Sequence, residues 1–319
     1  MLVNRRFLYI GVFLVAIGGV LVAADVGGLA PGTIVDALRL WPLAIVAIGV
    51  GIVLRRTQFS LQGGMLATAV PGLLLGGGFS LASRVAVDCS PETVQSNVAP
   101  REGNFDGPAR VSVTAGCGSL VVTTVPGSTW RFDGGNTADV PTIHASARSL
   151  QIDGGAGEGW RRFGLGRDDW RLTLPTTDLE DLSFAVNGGV GQIALRQAQL
   201  GHLGVTTNAA RTTVDLTEAS VATMSGSVNA GMLSFTLPAT ADVVGSFEVN
   251  AGGLDVCAPP ELGLRVRHTG ALSGFSVNGR HQAGSDWESP NYASAAHHAD
   301  LTAEIDLGNV KINPAGGCK

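Results

Sequence analysis

An internal repeat of 21 residues constrains this chain more than any other feature of its sequence. Successive units run without insertion from about residue 166 to 279. The clearest four units begin with an asparagine, at Asn187, Asn208, Asn229 and Asn250. A unit this short cannot bury an apolar face by itself, so successive units must stack on one another.

Alternating apolar and polar residues predict two strands in each unit. Two apolar columns recur in the first strand: Leu172, Ile193, Val214, Phe235, Val256 and Val277, and Leu174, Leu195, Leu216, Leu237 and Ala258. Stacking at about 4.8 Å places each residue over its equivalent in the next unit. We therefore predict an all-β, single-stranded parallel β-solenoid with about 21 residues per coil, in which the four asparagines form a ladder of side-chain amides. An antiparallel meander is the competing fold, but it does not explain the constant offset.

The first 87 residues have a different composition from the rest of the chain. They contain apolar runs at about 7–24, 40–54 and 61–82. Such runs are typical of helices that cross a hydrocarbon core of about 30 Å. We therefore predict a three-span transmembrane helical domain over residues 1–87 and a β domain over residues 88–319. A cleaved signal peptide is the alternative interpretation of the first run.

Arginines predict the orientation of this helical block, because short basic loops stay in the cytoplasm. Arg5 and Arg6 precede the first run, and Arg55 and Arg56 follow the second. We therefore expect a cytoplasmic N-terminus and an extracytoplasmic β domain. Residues 88–319 carry a formal charge of −9, which argues against nucleic acid as a partner.

All four cysteines lie in the predicted outer domain, which suits an oxidising compartment. Three pairings are open, and we favour Cys89 with Cys117 and Cys257 with Cys318, since each would tie one end of the domain to its body. Such loops could add roughly 3 to 4 kcal/mol on the chain-entropy model. Free thiols are the alternative.

No catalytic, cofactor-binding or metal-binding set is predicted. The outward columns, one of them reading Ser183, Gly204, Ser225, Ser246 and Arg267, are small and rich in hydroxyls, and they supply no stacked carboxylates of the kind that glycoside chemistry needs. Asp215 stands alone, and we expect it to be solvated. A metal site at His297 and His298, with His281 upstream and Asp300 nearby, is a weaker alternative, because adjacent residues point different ways in most backbones and the spacing specifies no fourth ligand. The stretch from Trp160 to Trp170 is most simply a turn insertion.

Two segments resemble known bacterial families. The segment from Arg5 through LWPLAIVAIGVGIVLRR resembles the LiaF/LiaI-type membrane region of cell-envelope proteins. The 21-residue units, such as NAGGLDV and NAGMLSF, resemble adhesin-like "toast-rack" β-repeat domains that often follow that region. The resemblance implies a bacterial membrane protein linked to envelope stress, in a group where LiaF-type members restrain a sensor kinase.

These observations predict a non-enzymatic, membrane-anchored envelope protein that serves as an interaction scaffold or as a modulator of envelope-stress signalling. The expected partners are the lipid bilayer and either a membrane signalling protein or a cell-wall glycan. One alternative is a glycan-binding module that uses the hydroxyl-rich face with Trp160, Trp170 or Trp287. A solenoid enzyme that processes polysaccharides is the other.

Overall fold

The computed structural model of the chain describes residues 5–25, 45–46, 49–50, 53–54, 62–65, 67–73, 98–136, 140–154, 168–177, 179–270, 272–282 and 284–318. Contacts divide the chain into two compact units, Met1–Arg84 and Val85–Lys319.

The described part of the first unit is helical. Helix α1 spans Arg5–Asp25, and shorter helical stretches include residues 62–65 and 67–73. Small residues allow these elements to approach closely: a Cβ added at Gly72 would collide with the backbone oxygen of Phe13 and with the side chain of Ala16. Gly72 therefore serves packing within the chain.

Among the described residues, no helix combines the length and the apolar character that a membrane crossing requires. On this finding the prediction of three spans at 7–24, 40–54 and 61–82 is wrong. The predictions of a location in the bacterial cell membrane and of its sidedness are wrong for the same reason. An apolar run does not by itself establish a membrane crossing, because a helix buried against other elements of the same chain has the same composition.

The described residues of the second unit form seventeen strands joined in one hydrogen-bonded network. In chain order they are β1 Arg101–Asn104, β2 Ala109–Val125, β3 Thr129–Asn136, β4 Thr142–Ser146, β5 Ser149–Asp153, β6 Asp168–Pro175, β7 Leu179–Ala194, β8 Gln199–Thr207, β9 Ala210–Asp215, β10 Ser220–Val228, β11 Gly231–Thr236, β12 Val243–Cys257, β13 Gly263–Thr269, β14 Leu272–Val277, β15 Arg280–His281, β16 Asp286–Glu288 and β17 His298–Ile312. A 3-10 turn at Tyr292–Ser294 precedes β17.

The strands form two faces that enclose a shared apolar core. We call sheet 1 the parallel series β6, β2, β7, β9, β11, β12, β17 and β14. Sheet 2 is the parallel series β5, β2, β7, β8, β10, β12, β17 and β13. Strands β2, β7, β12 and β17 belong to both sheets because each is long enough to turn the corner between them.

The 21-residue offset is the register of the middle layers. In sheet 1, Ile193 is paired with Val214, Val214 with Phe235, and Phe235 with Val256, all in parallel strands. All four side chains are buried. The backbone hydrogen bonds from Leu195 to Asp215, from Leu216 to Thr236 and from Leu237 to Cys257 continue the same stacking.

The two ends of the stack differ from the predicted order, because a terminal strand is inserted at each end. Strand β2 lies between β6 and β7, so Val122 separates Leu172 from Ile193. Strand β17 lies between β12 and β14, so Ile312 separates Val256 from Val277. The predicted columns are therefore wrong at these two steps. Equivalent layers can pair in any order that buries their apolar faces, and a sequence repeat does not specify that order.

Antiparallel strands flank the parallel layers, which the prediction of a wholly parallel solenoid did not include. At one end β3 pairs with β6 and β1, and β4 pairs with β5. At the other end β15 pairs with β14, and β16 pairs with β13. These strands occupy edges that would otherwise present unpaired backbone groups.

The repeated asparagines lie at one corner between the sheets, and their amides are connected. Asn208 Nδ2 donates to Asn187 Oδ1 at 2.5 Å, Asn229 Nδ2 to Asn208 Oδ1 at 2.6 Å, and Asn250 Nδ2 to Asn229 Oδ1 at 2.7 Å. Each hydrogen bond spans one repeat of 21 residues. The ladder therefore links four successive layers.

A disulfide joins Cys257, at the end of β12, to Cys318 near the C-terminus, with their Cα atoms 5.8 Å apart. This is one of the two favoured pairings. Cys117 is also disulfide-bonded. Cys89 lies outside the described residues.

Candidate functional site

The outer side of sheet 2 carries a shallow cleft of about 670 Å³, which we call the groove. One row of residues crosses it from layer to layer: Ser183, Gly204, Ser225, Ser246, Thr302 and Arg267. The prediction identified this row as a small, hydroxyl-rich face but did not include Thr302, which β17 inserts between Ser246 and Arg267. Strand alternation produces the row, because the flanking residues, such as Leu182 and Phe184, point into the core.

A connected set of polar side chains begins in the groove, which Ser225 and His202 line. Ser225 Oγ lies 3.2 Å from Nε2 of His202. The other ring nitrogen of His202, Nδ1, lies 3.0 Å from Oγ1 of Thr223. Thr223 Oγ1 in turn donates to the carbonyl oxygen of Gly201 at 3.1 Å. We call Ser225, His202 and Thr223 the relay.

The direction of these hydrogen bonds follows from the carbonyl, which can only accept. The single hydroxyl proton of Thr223 goes to Gly201, so Thr223 Oγ1 accepts from the Nδ1–H of His202. A neutral imidazole has one N–H, which leaves Nε2 as an acceptor for the hydroxyl proton of Ser225. This arrangement of hydrogen bonds corresponds to the Nδ1–H tautomer of His202.

Two carboxylates lie next to each other at the far end of the groove. Glu248 of β12 is in register with Glu304 of β17, and both are exposed. Arg267 also lines this end. The expectation that this side of the domain has no stacked acids is therefore wrong. Sequence offsets could not reveal the pair, because Glu304 comes from the inserted strand.

A second polar cluster lies at the β13 edge, beside the groove. Arg265 pairs with Glu288 at 2.7 Å and with Asp300 at 3.5 Å, and its guanidinium carbon lies 4.2 Å from the ring centroid of Tyr292. The Tyr292 hydroxyl donates to Asp300 Oδ1 at 2.9 Å. Burial first, and then this hydrogen bond, raises the pKa of Tyr292. These contacts hold the segment before β17 against sheet 2.

The histidines considered for metal binding are engaged in separate contacts. His297 Nδ1 lies 3.7 Å from Asp242, His298 Nε2 lies 2.8 Å from the backbone oxygen of Tyr292, and His281 belongs to the edge strand β15. Asp300 contacts Tyr292 and Arg265 as described above. Over the described ranges, no group of three or more His, Cys, Asp or Glu side chains could hold a metal ion.

Asp215 and the tryptophans that the sequence suggested as binding residues have structural roles or lie outside the described residues. Asp215 accepts hydrogen bonds from the backbone N–H and the hydroxyl of Thr217, so it caps a turn. Trp170 is 1% exposed, with its ring 5.3 Å from that of Phe132, so it is not available as a platform for a sugar. Trp287 is half-buried against the core, and Trp160 lies outside the described residues.

Comparison with known proteins gives distant likenesses to solved structures. A protein from Clostridium sporogenes, provisionally named a cell adhesion protein, is 14% identical with a TM-score of 0.44, over 68% of this chain and 99% of that chain. A provisionally named adhesin from Bacteroides fragilis is 12% identical with a TM-score of 0.30, over 67% and 96%. A provisionally named lipid binding protein from Parabacteroides distasonis is 11% identical with a TM-score of 0.27, over 68% and 97%.

Proteins named as adhesins are thus among the neighbours of this chain, whereas the LiaF-type region has no support from them. No protein-family profile matches the sequence, and no curated protein matches it either. Because these TM-scores are below 0.5, the solved structures indicate no function for this chain.

Proposed function

We propose that the chain is a non-enzymatic interaction module that binds an extended, hydroxyl-rich ligand, a polysaccharide, along the groove of sheet 2. The observation that carries the proposal is the row from Ser183 to Thr302, which crosses successive layers in register and carries a hydroxyl at every position except Gly204. A volume of about 670 Å³ lies within the range of about 300 to 1,000 Å³ that is usual for ligand sites.

The spacing of the row suits a polymer. Neighbouring strands lie about 4.8 Å apart, which is comparable to the advance of one sugar in an extended glycan. Serine and threonine hydroxyls can donate and accept, and so can sugar hydroxyls. Glu248, Glu304 and Arg267 at one end would favour a glycan that carries amino or carboxyl groups.

Retention of the full-length chain on insoluble peptidoglycan, with cellulose as a neutral comparison, tests the proposal. Replacing two hydroxyls in Ser183→Val/Ser246→Val should weaken retention roughly tenfold, because each lost hydrogen bond is worth about 0.5 to 1.5 kcal/mol. The matched control is Thr213→Val on the outer side of sheet 1, in β9, which should be retained like the unmodified chain.

Two results of the retention experiment would contradict the proposal. If the unmodified chain stays in solution with both polysaccharides, or if the double variant is retained as well as the control, the groove is not a glycan site. A protein partner, such as the membrane signalling protein expected from the sequence, would then be the next candidate.

A further inference from the structure

We propose that Ser225 is a nucleophilic serine that accepts an acyl group from a carboxylic ester held in the groove, with His202 as its base. This inference goes beyond the proposed function, which needs only reversible contact. A serine hydroxyl becomes an effective nucleophile when an adjacent base takes its proton and a third group orients that base. The relay supplies these three parts in one place.

The orientation of His202 is the first argument. Thr223 accepts a hydrogen bond from Nδ1–H and donates its own hydroxyl hydrogen bond to the carbonyl of Gly201. The lone pair of Nε2 therefore faces Ser225 Oγ, which lies 3.2 Å away. This is the tautomer that a general base needs. Thr223 touches no reacting atom, so it is a positioning residue.

Free space beside the hydroxyl is the second argument. The repeat places Gly204 between Ser183 and Ser225 in the row. A Cβ added at Gly204 would lie 3.4 Å from Ser225 Oγ and 3.6 Å from Nε2 of His202. The missing side chain therefore leaves room for a carbonyl group next to both reacting atoms. On the other side of Ser225, its register partner is Ser246, whose hydroxyl can act as a donor to the developing oxyanion.

The step balances without another reactant. Ser225 Oγ attacks the ester carbonyl carbon while its proton passes to Nε2 of His202. The tetrahedral intermediate collapses, the bond from carbon to the alcohol oxygen breaks, and the departing alkoxide takes the proton from His202. The products are an acyl ester on Ser225 and a free alcohol.

Labelling of the full-length chain with a fluorophosphonate probe and with p-nitrophenyl acetate, followed by peptide mass spectrometry, tests the inference. Ser220 is the internal comparison, since it is an exposed serine of the same strand. We expect Ser225 to be modified more than about tenfold faster than Ser220. A positioned general base accelerates such reactions by about 10²–10⁴-fold. His202→Gln should reduce the rate at Ser225 to that of Ser220, and Ser220→Ala should leave the rate at Ser225 unchanged.

Two further variants separate a positioning role from a general loss of structure. Thr223→Val should lower the labelling rate of Ser225, whereas Thr223→Ser, which keeps the hydroxyl, should restore it. Gly204→Ala places only an ordinary contact beside Ser225, so the domain should unfold at the same midpoint while the rate at Ser225 falls.

A rate at Ser225 within tenfold of that at Ser220, or a rate that His202→Gln does not change, overturns the inference. The two proposals fail separately. Loss of glycan retention in a chain that still labels at Ser225 overturns only the proposed function, and retention without labelling overturns only the acyl-acceptor site.

Discussion

At the scale of single residues, the asparagine ladder shows how a repeat joins single side-chain hydrogen bonds into a continuous chain. Asn229 donates to Asn208 and accepts from Asn250, whereas Asn187 at the end of the ladder only accepts, from Asn208. All the amides point the same way. An interior member therefore makes two ladder bonds, and the end member makes one.

This asymmetry predicts unequal losses of stability. Asn229→Ala removes two hydrogen bonds and Asn187→Ala removes one, so the first should cost about 1 kcal/mol more free energy of unfolding than the second. Urea denaturation followed by circular dichroism measures the difference. Equal losses would mean that the asparagines act only through their turns.

At the same corner as the asparagine ladder, Gly231 is required both by its backbone conformation and by the lack of space for a side chain. Its φ is +111°, and an added Cβ would collide with the backbone oxygen of Ala210. Gly127 has a similar φ of +124° with nothing within 4 Å of such a Cβ. We expect Gly127→Ala to cost about 1 to 3 kcal/mol from backbone strain alone and Gly231→Ala to cost more. Comparable denaturation midpoints for the two variants would exclude the steric contribution.

Asp255 gives sheet 1 a pH dependence. Burial raises its pKa, and the charge of Lys311 partly offsets this effect. Because the folded pKa lies above the unfolded value, the favourable contribution of this carboxyl is complete below about pH 4 and is lost as the pH rises through the folded pKa.

Asp255→Asn should therefore raise the free energy of unfolding at pH 7 and change it less at pH 4. The gain should be small, since the group is half-exposed and screened by solvent. Thermal unfolding at the two pH values measures it. Glu218→Gln, which removes the same charge from an exposed turn, is the control for a general effect of net charge.

At the scale of elements, strand β17 is fixed on both sides and at its end. It pairs with β12 in both sheets, with β13 in sheet 2 and with β14 in sheet 1. The chain that follows is then tied back to β12 by the disulfide between Cys257 and Cys318. The order of these layers thus depends on one late segment of the sequence.

Removing this disulfide should weaken the domain considerably. The cysteines are separated by 61 residues, and the chain-entropy model gives about 4 kcal/mol for a loop of that size. We expect the double variant Cys257→Ser/Cys318→Ser to lose about that much free energy of unfolding in urea denaturation. Reductant cannot lower its stability further by breaking this disulfide, because the variant lacks it. An unchanged midpoint would show that β17 alone holds the end of the stack.

At the scale of the whole molecule, the two inserted strands make the stack depend on distant parts of the chain. Val122 of β2 pairs with Ile193, and Val256 of β12 pairs with Ile312. Non-local parallel pairing of this kind slows folding, because loop closure costs entropy before any contact repays it. The repeat units therefore cannot complete the native order one after another.

Deletion of residues 298–319 tests this dependence. The shortened chain lacks β17, so the edges of β12, β13 and β14 lose their partner, and Glu304 and Thr302 leave the groove. We expect loss of the cooperative unfolding transition and aggregation through the open edges. A shortened chain that unfolds cooperatively at the original midpoint would contradict the role of the inserted strand.

Some properties of this protein follow from the sequence alone. The 21-residue offset determined the register of the middle layers, because every apolar column must be buried by its nearest equivalent. Alternation also located the hydroxyl row from Ser183 to Ser246, since side chains of a strand point to opposite sides in turn.

Tertiary structure alone decided the rest. The insertion of β2 and β17, the juxtaposition of Glu248 and Glu304, and the relay through His202 bring together segments whose proximity is not encoded by periodicity. Apolar composition likewise did not establish membrane-crossing helices. The physical reason is common to all of these: a pattern specifies which face of an element is buried, whereas the partner that buries it is selected by the packing of the whole chain.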